Sequence, residues 1–192
     1  MASTLCSCCI SKLLVVFALL HLVQVHEQPS WFVKGDVIVD ECNKTLYPSV
    51  CLGCLKVDHS RKSDSREELV HAVILCAENQ AVNAHNDAAS LVQNTTGPAN
   101  LKAAFQFCEK SLLSAQNYLV QAQHQVEGRD FKNAWTTFGN ARKGVFDCEN
   151  NLLPILRTIS VSKKLLDDMQ ATVRLNDVAQ QILSSWTLFI VT

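Results

Sequence analysis

The sequence predicts an all-α protein, an antiparallel up-and-down four-helix bundle preceded by a short αα-hairpin and braced by disulfides. Three observations carry this. Apolar residues recur at steps of three and four along four long segments, the spacing of one helical face. Glycine and proline number 6 and 4 in 192 residues, too few turn formers for an all-β sandwich or barrel. The cysteines stand at positions that join neighbouring helices across their turns. The length suits one domain. With 48% hydrophobic and 18% charged residues, the chain can bury a core and is not of disordered composition. The 17 basic and 18 acidic residues nearly cancel, so no basic field for nucleic acid is present.

Residues 1–25 read as a secretory signal. Lys12 supplies positive charge, and an apolar run from Leu13 to Val25 follows, interrupted by His21 and Gln24. That run is shorter than the ~20 clean apolar residues that span a bilayer, so removal near residues 23–26 is expected rather than anchoring, with no membrane attachment afterwards. Removal takes Cys6, Cys8, Cys9 and Lys12 with it; 17 basic residues become 16, against 18 acidic ones. Cys42, Cys51, Cys54, Cys76, Cys108 and Cys148 remain, an even number behind a signal, which points to disulfides in an oxidising compartment. In the same pathway Asn43-Lys44-Thr45 and Asn94-Thr95-Thr96 become glycosylation acceptors. The C-terminal apolar run Trp186–Val191 is too short for a GPI tail.

Residues 32–57 read as a small helical hairpin bent at Tyr47-Pro48, and the bundle follows over 63–190. The first bundle helix is expected from about Asp64 to Asn94, with Leu69, Val73, Cys76, Gln80, Ala84, Ala88 and Leu91 on its inner stripe. Ser65 and Glu68 have the spacing of a capping box. The second runs through Leu101, Phe105, Cys108, Leu112, Ala115, Leu119, Ala122 and Val126. Pro98 stands at its start, where a missing N–H costs least, and Gly128 just past its end, where a left-handed cap is easiest. The third opens at Asp130, an N-cap residue, and carries Phe131, Ala134, Phe138, Ala141, Val145, Cys148 and Leu152 inward. Pro154 marks the boundary to the fourth, expected from about Ile155 to Trp186 with Leu156, Ile159, Leu166, Met169, Val173, Leu183 and Trp186 inward. Ser162 and Asn176 interrupt that stripe.

The cysteines convert into geometry. Cys108 lies 20 residues before Gly128 and Cys148 lies 20 after it, both on inner stripes, so they meet at one level of an antiparallel pair. A disulfide needs Cα atoms about 4.4–6.8 Å apart, closer than the ~8–10 Å of ordinary helix axes. Ala104 and Gly144, one turn before each cysteine, permit that approach. Closing this loop is worth ~4 kcal/mol in the chain-entropy picture. Cys42 and Cys51 flank the Tyr47-Pro48 bend and lock the small hairpin. Cys54 and Cys76 are equidistant from Ser65, and both a third bridge and two unpaired thiols fit that spacing.

The segment from Cys42 to Cys51, with Thr45, Tyr47 and Pro48, resembles the C-x-x-T-x-Y-P-x-x-C signature of the plant invertase and pectin methylesterase inhibitors. Leu101–Leu119 with Cys108-Glu109 is similar to that family's second bundle helix. Gly128, Phe131, Ala134, Ala141 and Cys148-Glu149 are similar to its third, and the resemblance spans about residues 36–185. It implies a four-helix bundle behind an αα-hairpin, with disulfides at the two sharper pairs above. It implies a secreted plant protein of the apoplast, or alternatively the vacuole, that docks 1:1 on a carbohydrate-active enzyme and blocks its substrate cleft. Two stretches depart from the family pattern. Phe138-Gly139-Asn140-Ala141-Arg142 stands where many members carry a Ser-Ala-Ala-Leu-like run, and Phe131-Lys132-Asn133 stands where invertase inhibitors carry Pro-Lys-Phe. The expected partner is therefore pectin methylesterase, with acid invertase as the alternative. Cys54 and Cys76 are additions to the pattern.

A catalytic reading has little support. The chain contains no H-E-x-x-H or G-x-S-x-G. Cys51-x-x-Cys54 has redox spacing but no βαβ surroundings. His71 and His85 suit a solvated surface, and adjacent Asp167-Asp168 diverge on a helix and form no acid–base pair. No cofactor and no metal are expected. A non-inhibitory binding module is the competing class, one that holds an apolar ligand between helices or binds wall polysaccharide or another protein, motivated by the divergent third helix and the apolar C-terminal run. For an inhibitor, the partner surface is expected on outward positions off the core stripes: Lys102, Lys110, Gln121, Asn133 and Lys143. Peptide mapping without reduction is expected to recover Cys108 with Cys148 and Cys42 with Cys51. Recovery of Cys108 joined to Cys42 or Cys51 would sink the hairpin geometry.

Overall fold

A computed structural model describes residues 34–56, 65–155 and 161–190, so the signal segment 1–25 and its three cysteines lie outside the described residues. Among the described residues six helices follow one another: α1 Lys34–Asn43, α2 Pro48–Lys56, α3 Arg66–Asn94, α4 Ala99–Glu127, α5 Phe131–Leu152 and α6 Lys163–Ile190. No strand occurs among the described residues. The last four are the antiparallel bundle and the first two the hairpin. In the bundle α3 lies beside α4 and α6, and α5 packs closely on α4 but loosely on α6.

The helix ends have local causes. The Ser65 hydroxyl accepts the Glu68 backbone N–H at 3.2 Å and opens α3. Pro98 precedes α4 as its N-cap residue. The Asp130 carboxylate accepts the Asn133 backbone N–H at 3.4 Å and its side-chain amide at 2.6 Å, opening α5. Pro48 is the first residue of α2, where its fixed φ is already helical.

Several expectations need correction. α3 begins at Arg66, not Asp64, which lies outside the described residues. Its buried face runs through Leu69, Val70, Val73, Ile74, Ala77, Ala81, Ala84 and Ala88. Cys76 and Gln80 are only partly buried, because Cys76 turns toward the hairpin and bonds to Cys54. The left-handed residue at the end of α4 is Arg129, with φ 58°, and not Gly128, whose φ is −77°. Around it the Asp130 N–H donates to Gln125 O at 2.7 Å and the Arg129 N–H to Val126 O at 3.0 Å, the paired closing bonds of a Schellman motif. Finally, α6 begins at Lys163 instead of Ile155, since Leu153–Ile155 form a turn. Its inner face is Leu165, Met169, Thr172, Leu175, Asn176, Val178, Ala179, Ile182 and Leu183. Leu166 and Val173 lie at its border, while Leu156 and Ile159 lie outside the described residues. Asn176 is no interruption: it is 1% exposed and donates its amide to Phe138 O on α5 at 3.2 Å.

The core falls into two layers. One gathers Leu69, Val73, Leu119, Phe138, Val178 and Ile182 at the hairpin end; the other gathers Phe105, Leu112, Val145, Leu152, Leu165 and Met169 around Cys108 and Cys148. Three disulfides tie the layers and the hairpin. Their Cα separations are 5.5 Å for Cys42–Cys51, 6.0 Å for Cys54–Cys76 and 4.3 Å for Cys108–Cys148. The hairpin also docks through polar contacts. Glu41, 3% exposed, is held by Arg66 at 2.8 Å and Lys44 at 3.1 Å, and the Leu46 N–H donates to the Gln181 side chain at 2.7 Å.

Asp177, beside Asn176, is 7% exposed and faces Arg142 of α5, whose Nη1 lies 3.1 Å from its Oδ1. Burial raises its pKa above the ordinary 3.8, and Arg142 only partly offsets this. The folded chain therefore holds that proton more tightly than the unfolded chain, and stability falls as pH rises through the window between the two pKa values.

Two measurements follow from this packing. A Cβ on Gly144 would stand 2.8 Å from Ser111 O and 3.2 Å from Ala115 Cβ, whereas one on Gly139 meets nothing within 4 Å. Gly144→Ala is expected to lose ~1–3 kcal/mol by overpacking, and Gly139→Ala to gain ~0.5–1 kcal/mol from helix propensity; urea unfolding of both distinguishes the two sites. Asp177→Asn keeps the shape and removes the charge. It should melt above the parent chain near neutral pH, and the difference should vanish at about pH 3, below the ordinary carboxylate range; equal melting points near neutral pH would contradict the burial argument.

Candidate partner-binding surface

Two surfaces of α5 stand out, on its opposite flanks. The first is the outer face of the α4–α5 pair. Gly144 meets Ser111 and Ala115 there, so the seam passes beside Lys143 and Lys110, each one residue before a seam position. Both lysines are exposed. Gln121 lies 11 residues beyond Lys110, within about 20° on the helix, and Asn133 stands at the first turn of α5. Gln121 and Asn133 are exposed as well. Lys102, also exposed, is turned about 80° from Lys110 and stands on the α3 side of α4. The five sequence-derived positions thus divide into four that share one face and one that does not.

Their side chains differ in freedom. Lys143 pairs with Asp147 at 2.5 Å, and the Asn133 amide is held by Asp130 at 2.6 Å. Lys102 and Lys110 form no ion pair with a described residue. At the turn end of this face, Gln121 joins Asn117, Val120, His124, Gln125 and Asp130 around a shallow depression. His124 Nδ1 donates to the Glu127 carboxylate, 3.2 Å away, and His71 of α3 lies 4.0 Å from the same carboxylate. The His124 bond chiefly holds the Glu127 carboxyl below its ordinary range.

The second surface escaped the sequence reading. Loose packing of α5 on α6 leaves a groove of about 480 Å³, closed at one edge by Tyr47 from the hairpin turn. Val145, Met169 and Val173 give it an apolar floor; Arg142, Phe146, Glu149, Asp167, Arg174 and Asp177 line its sides. Arg142 lies over the Phe146 ring at 5.2 Å and Arg174 over the Tyr47 ring at 5.6 Å, a geometry that holds each guanidinium in place. One signal for this groove was in the sequence. Arg142 closes the stretch that departs from the Ser-Ala-Ala-Leu-like run. Asn43 and Asn94, the glycosylation candidates, are both exposed. Among the described residues no group of histidine, cysteine and acidic side chains is arranged to hold a metal ion. No helix among them is long and apolar enough to cross a membrane.

With the fold and both surfaces in view, the comparisons with known proteins agree. The plant invertase/pectin methylesterase inhibitor model matches residues 36–185. A pectinesterase inhibitor from Actinidia deliciosa is 28% identical over 147 residues, covering 76% of this chain and 79% of the relative. In fold, the chain is similar to a mutant form of a pectin methylesterase inhibitor from Arabidopsis, with TM-score 0.63, 20% identity, and 74% and 92% of the two chains covered. It is also similar to another Arabidopsis thaliana pectin methylesterase inhibitor structure, with TM-score 0.58 and 20% identity, covering 78% and 95%. A family match over most of the chain, on a bundle whose hairpin and cysteine frame agree with it, settles the affiliation: this protein belongs to the plant invertase/pectin methylesterase inhibitor family.

Proposed function

We propose that this protein inhibits a plant pectin methylesterase by docking 1:1 over the enzyme's substrate cleft. The observation that carries this is the family match over residues 36–185 together with the likeness to a pectinesterase inhibitor over 147 residues. The family is one of enzyme inhibitors, not of enzymes. Phe131-Lys132-Asn133 in place of Pro-Lys-Phe speaks against invertase as the target. The reading includes removal of residues 1–25, secretion to the apoplast and glycans on Asn43 and Asn94, which the signal, the sequons and the exposure of both asparagines support.

The α4–α5 outer face is the docking surface in this reading. Lys110, Gln121, Asn133 and Lys143 share it, and the disulfide beneath it keeps the two helices from separating. Such a rigid face loses little conformational freedom on binding. Lys102 lies at its margin.

Titrating the purified mature chain into a plant pectin methylesterase at mildly acidic pH is expected to abolish activity at one equivalent, while an acid invertase is left active. Lys110→Glu combined with Lys143→Glu is expected to weaken inhibition by about tenfold or more. Lys102→Glu should stay within about threefold of the parent. Full pectin methylesterase activity at molar excess would refute the proposal, and an unaffected double variant would move the docking surface elsewhere.

A further inference from the structure

The α5–α6 groove has the chemistry of a ligand site. Within it, charges cancel in pairs. Arg142 stands 3.1 Å from Asp177, and Lys163 holds Asp167 at 2.5 Å. That leaves Arg174 as the cation and Glu149 as the anion without an ion pair to a described residue. Arg174 is fixed over the Tyr47 ring at the hairpin edge. Its planar fork is the group that meets a carboxylate with two parallel hydrogen bonds. Asp177 lines the same groove, and its Oδ1, although Arg142 neutralises it, is buried and accepts no hydrogen bond. Arg142 Nη1 supplies the charge partner of that oxygen, and the carboxylate has further lone-pair sites for a hydroxyl group entering the groove. The floor of Val145, Met169 and Val173 offers the apolar surface that a sugar ring covers with its C–H face. The volume of about 480 Å³ lies in the range of small-molecule sites.

We infer that this groove binds a short uronic-acid oligosaccharide, with a free carboxylate on Arg174 and a ring hydroxyl donating to Asp177. The negative charge of Glu149, on the side of the groove away from Tyr47, sets the orientation. It disfavours a second carboxylate there and accepts hydroxyl hydrogens instead. This site goes beyond the inhibitor reading and does not rest on it, because it lies on the flank of α5 opposite the α4 seam and its test contains no enzyme.

Chemical-shift titration of the full mature chain with trigalacturonic acid, with its fully methyl-esterified trimer and with maltotriose decides the matter. The acid is expected to bind saturably, with shifts concentrated on Arg142, Val145, Val173 and Arg174, and to weaken with added salt; the two uncharged trimers should bind at least about tenfold more weakly. Arg174→Met retains the stem over Tyr47 and loses the fork, and should reduce affinity for the acid by about tenfold or more. Equal affinity for maltotriose, shifts confined to other surfaces, no saturable binding, or an Arg174→Met chain that binds as well as the parent would each overturn the inference. The three-ligand comparison on the parent chain stands even if the variant does not fold.

Discussion

The approach of α4 to α5 at Cys108 and Cys148 is the constraint on which the rest of the structure depends. A Cα separation of 4.3 Å brings two helix backbones closer than side chains of ordinary size allow. It is possible because Gly144 offers only hydrogen to Ser111 O, and Ala115 only a methyl to Gly144. Small residues and a covalent bond thus act together: the glycine admits the contact and the disulfide holds it. A second layer, with Phe138 and Leu119 among its largest residues, fills the bundle toward the hairpin. The close α4–α5 seam also decides where the bundle is open. With α5 drawn to α4, its other flank packs loosely on α6, and that looseness is the groove.

The hairpin is attached by a different logic. Two short helices of 10 and 9 residues are marginal alone, and their own bridge, Cys42–Cys51, binds them only to each other. What fastens them to the bundle is Cys54–Cys76 together with Glu41, buried between Arg66 and Lys44. A buried carboxylate lacking one of these partners is strongly destabilising, so the ion pair specifies the docked position as well as favouring it. Tyr47, carried by this hairpin, then supplies the ring on which Arg174 rests. The hairpin therefore shapes the edge of a groove formed by two helices of the bundle.

Much of this was legible in the sequence where a single period governs. The stripes of α4 and α5 were read residue by residue and match the buried sets Phe105 to Val126 and Ala134 to Leu152, because each of these helices has one buried face. The stripe of α3 slipped by one position at Cys76 and Gln80, where Ala77 and Ala81 are buried instead, and returned to register at Ala84 and Ala88; that helix serves two neighbours, the bundle and the hairpin, and Cys76 belongs to the second. Asn176 read as a break because a polar residue on an apolar face carries no mark of the carbonyl that accepts its amide 38 residues away. Arg129 escaped because glycine is the usual left-handed residue, and Gly128 stands beside it. The Arg129 ion pair to Glu67 at 3.7 Å and the two closing backbone bonds hold the non-glycine conformation. The outward lysines were legible as exposed but not as partitioned. Only the seam shows that Lys110 and Lys143 share a face and Lys102 does not.

Charge explains why the two flanks of α5 are suited to different ligands. Over most of the described surface the cations are engaged. Lys44 bridges Asp40 and Glu41, Lys164 bridges Asp87 and Asp168, and Arg129 meets Glu67. Bonds to two carboxylates raise the pKa of Lys44 and of Lys164, so these lysines stay charged and occupied. Among the described side chains the cations left without such a partner, Lys102 and Lys110 on α4, Lys132 on α5 and Arg174 in the groove, are few in a chain whose net charge is −1. An exposed lysine on a flat face is a mobile point charge that contributes to encounter and register with a broad protein surface. An arginine pinned over an aromatic ring beside a buried acceptor is a directional group, matched to one carboxylate at one distance. The near-neutral composition leaves the protein no general electrostatic attraction to rely on, so recognition on either flank must come from where these unengaged groups are held.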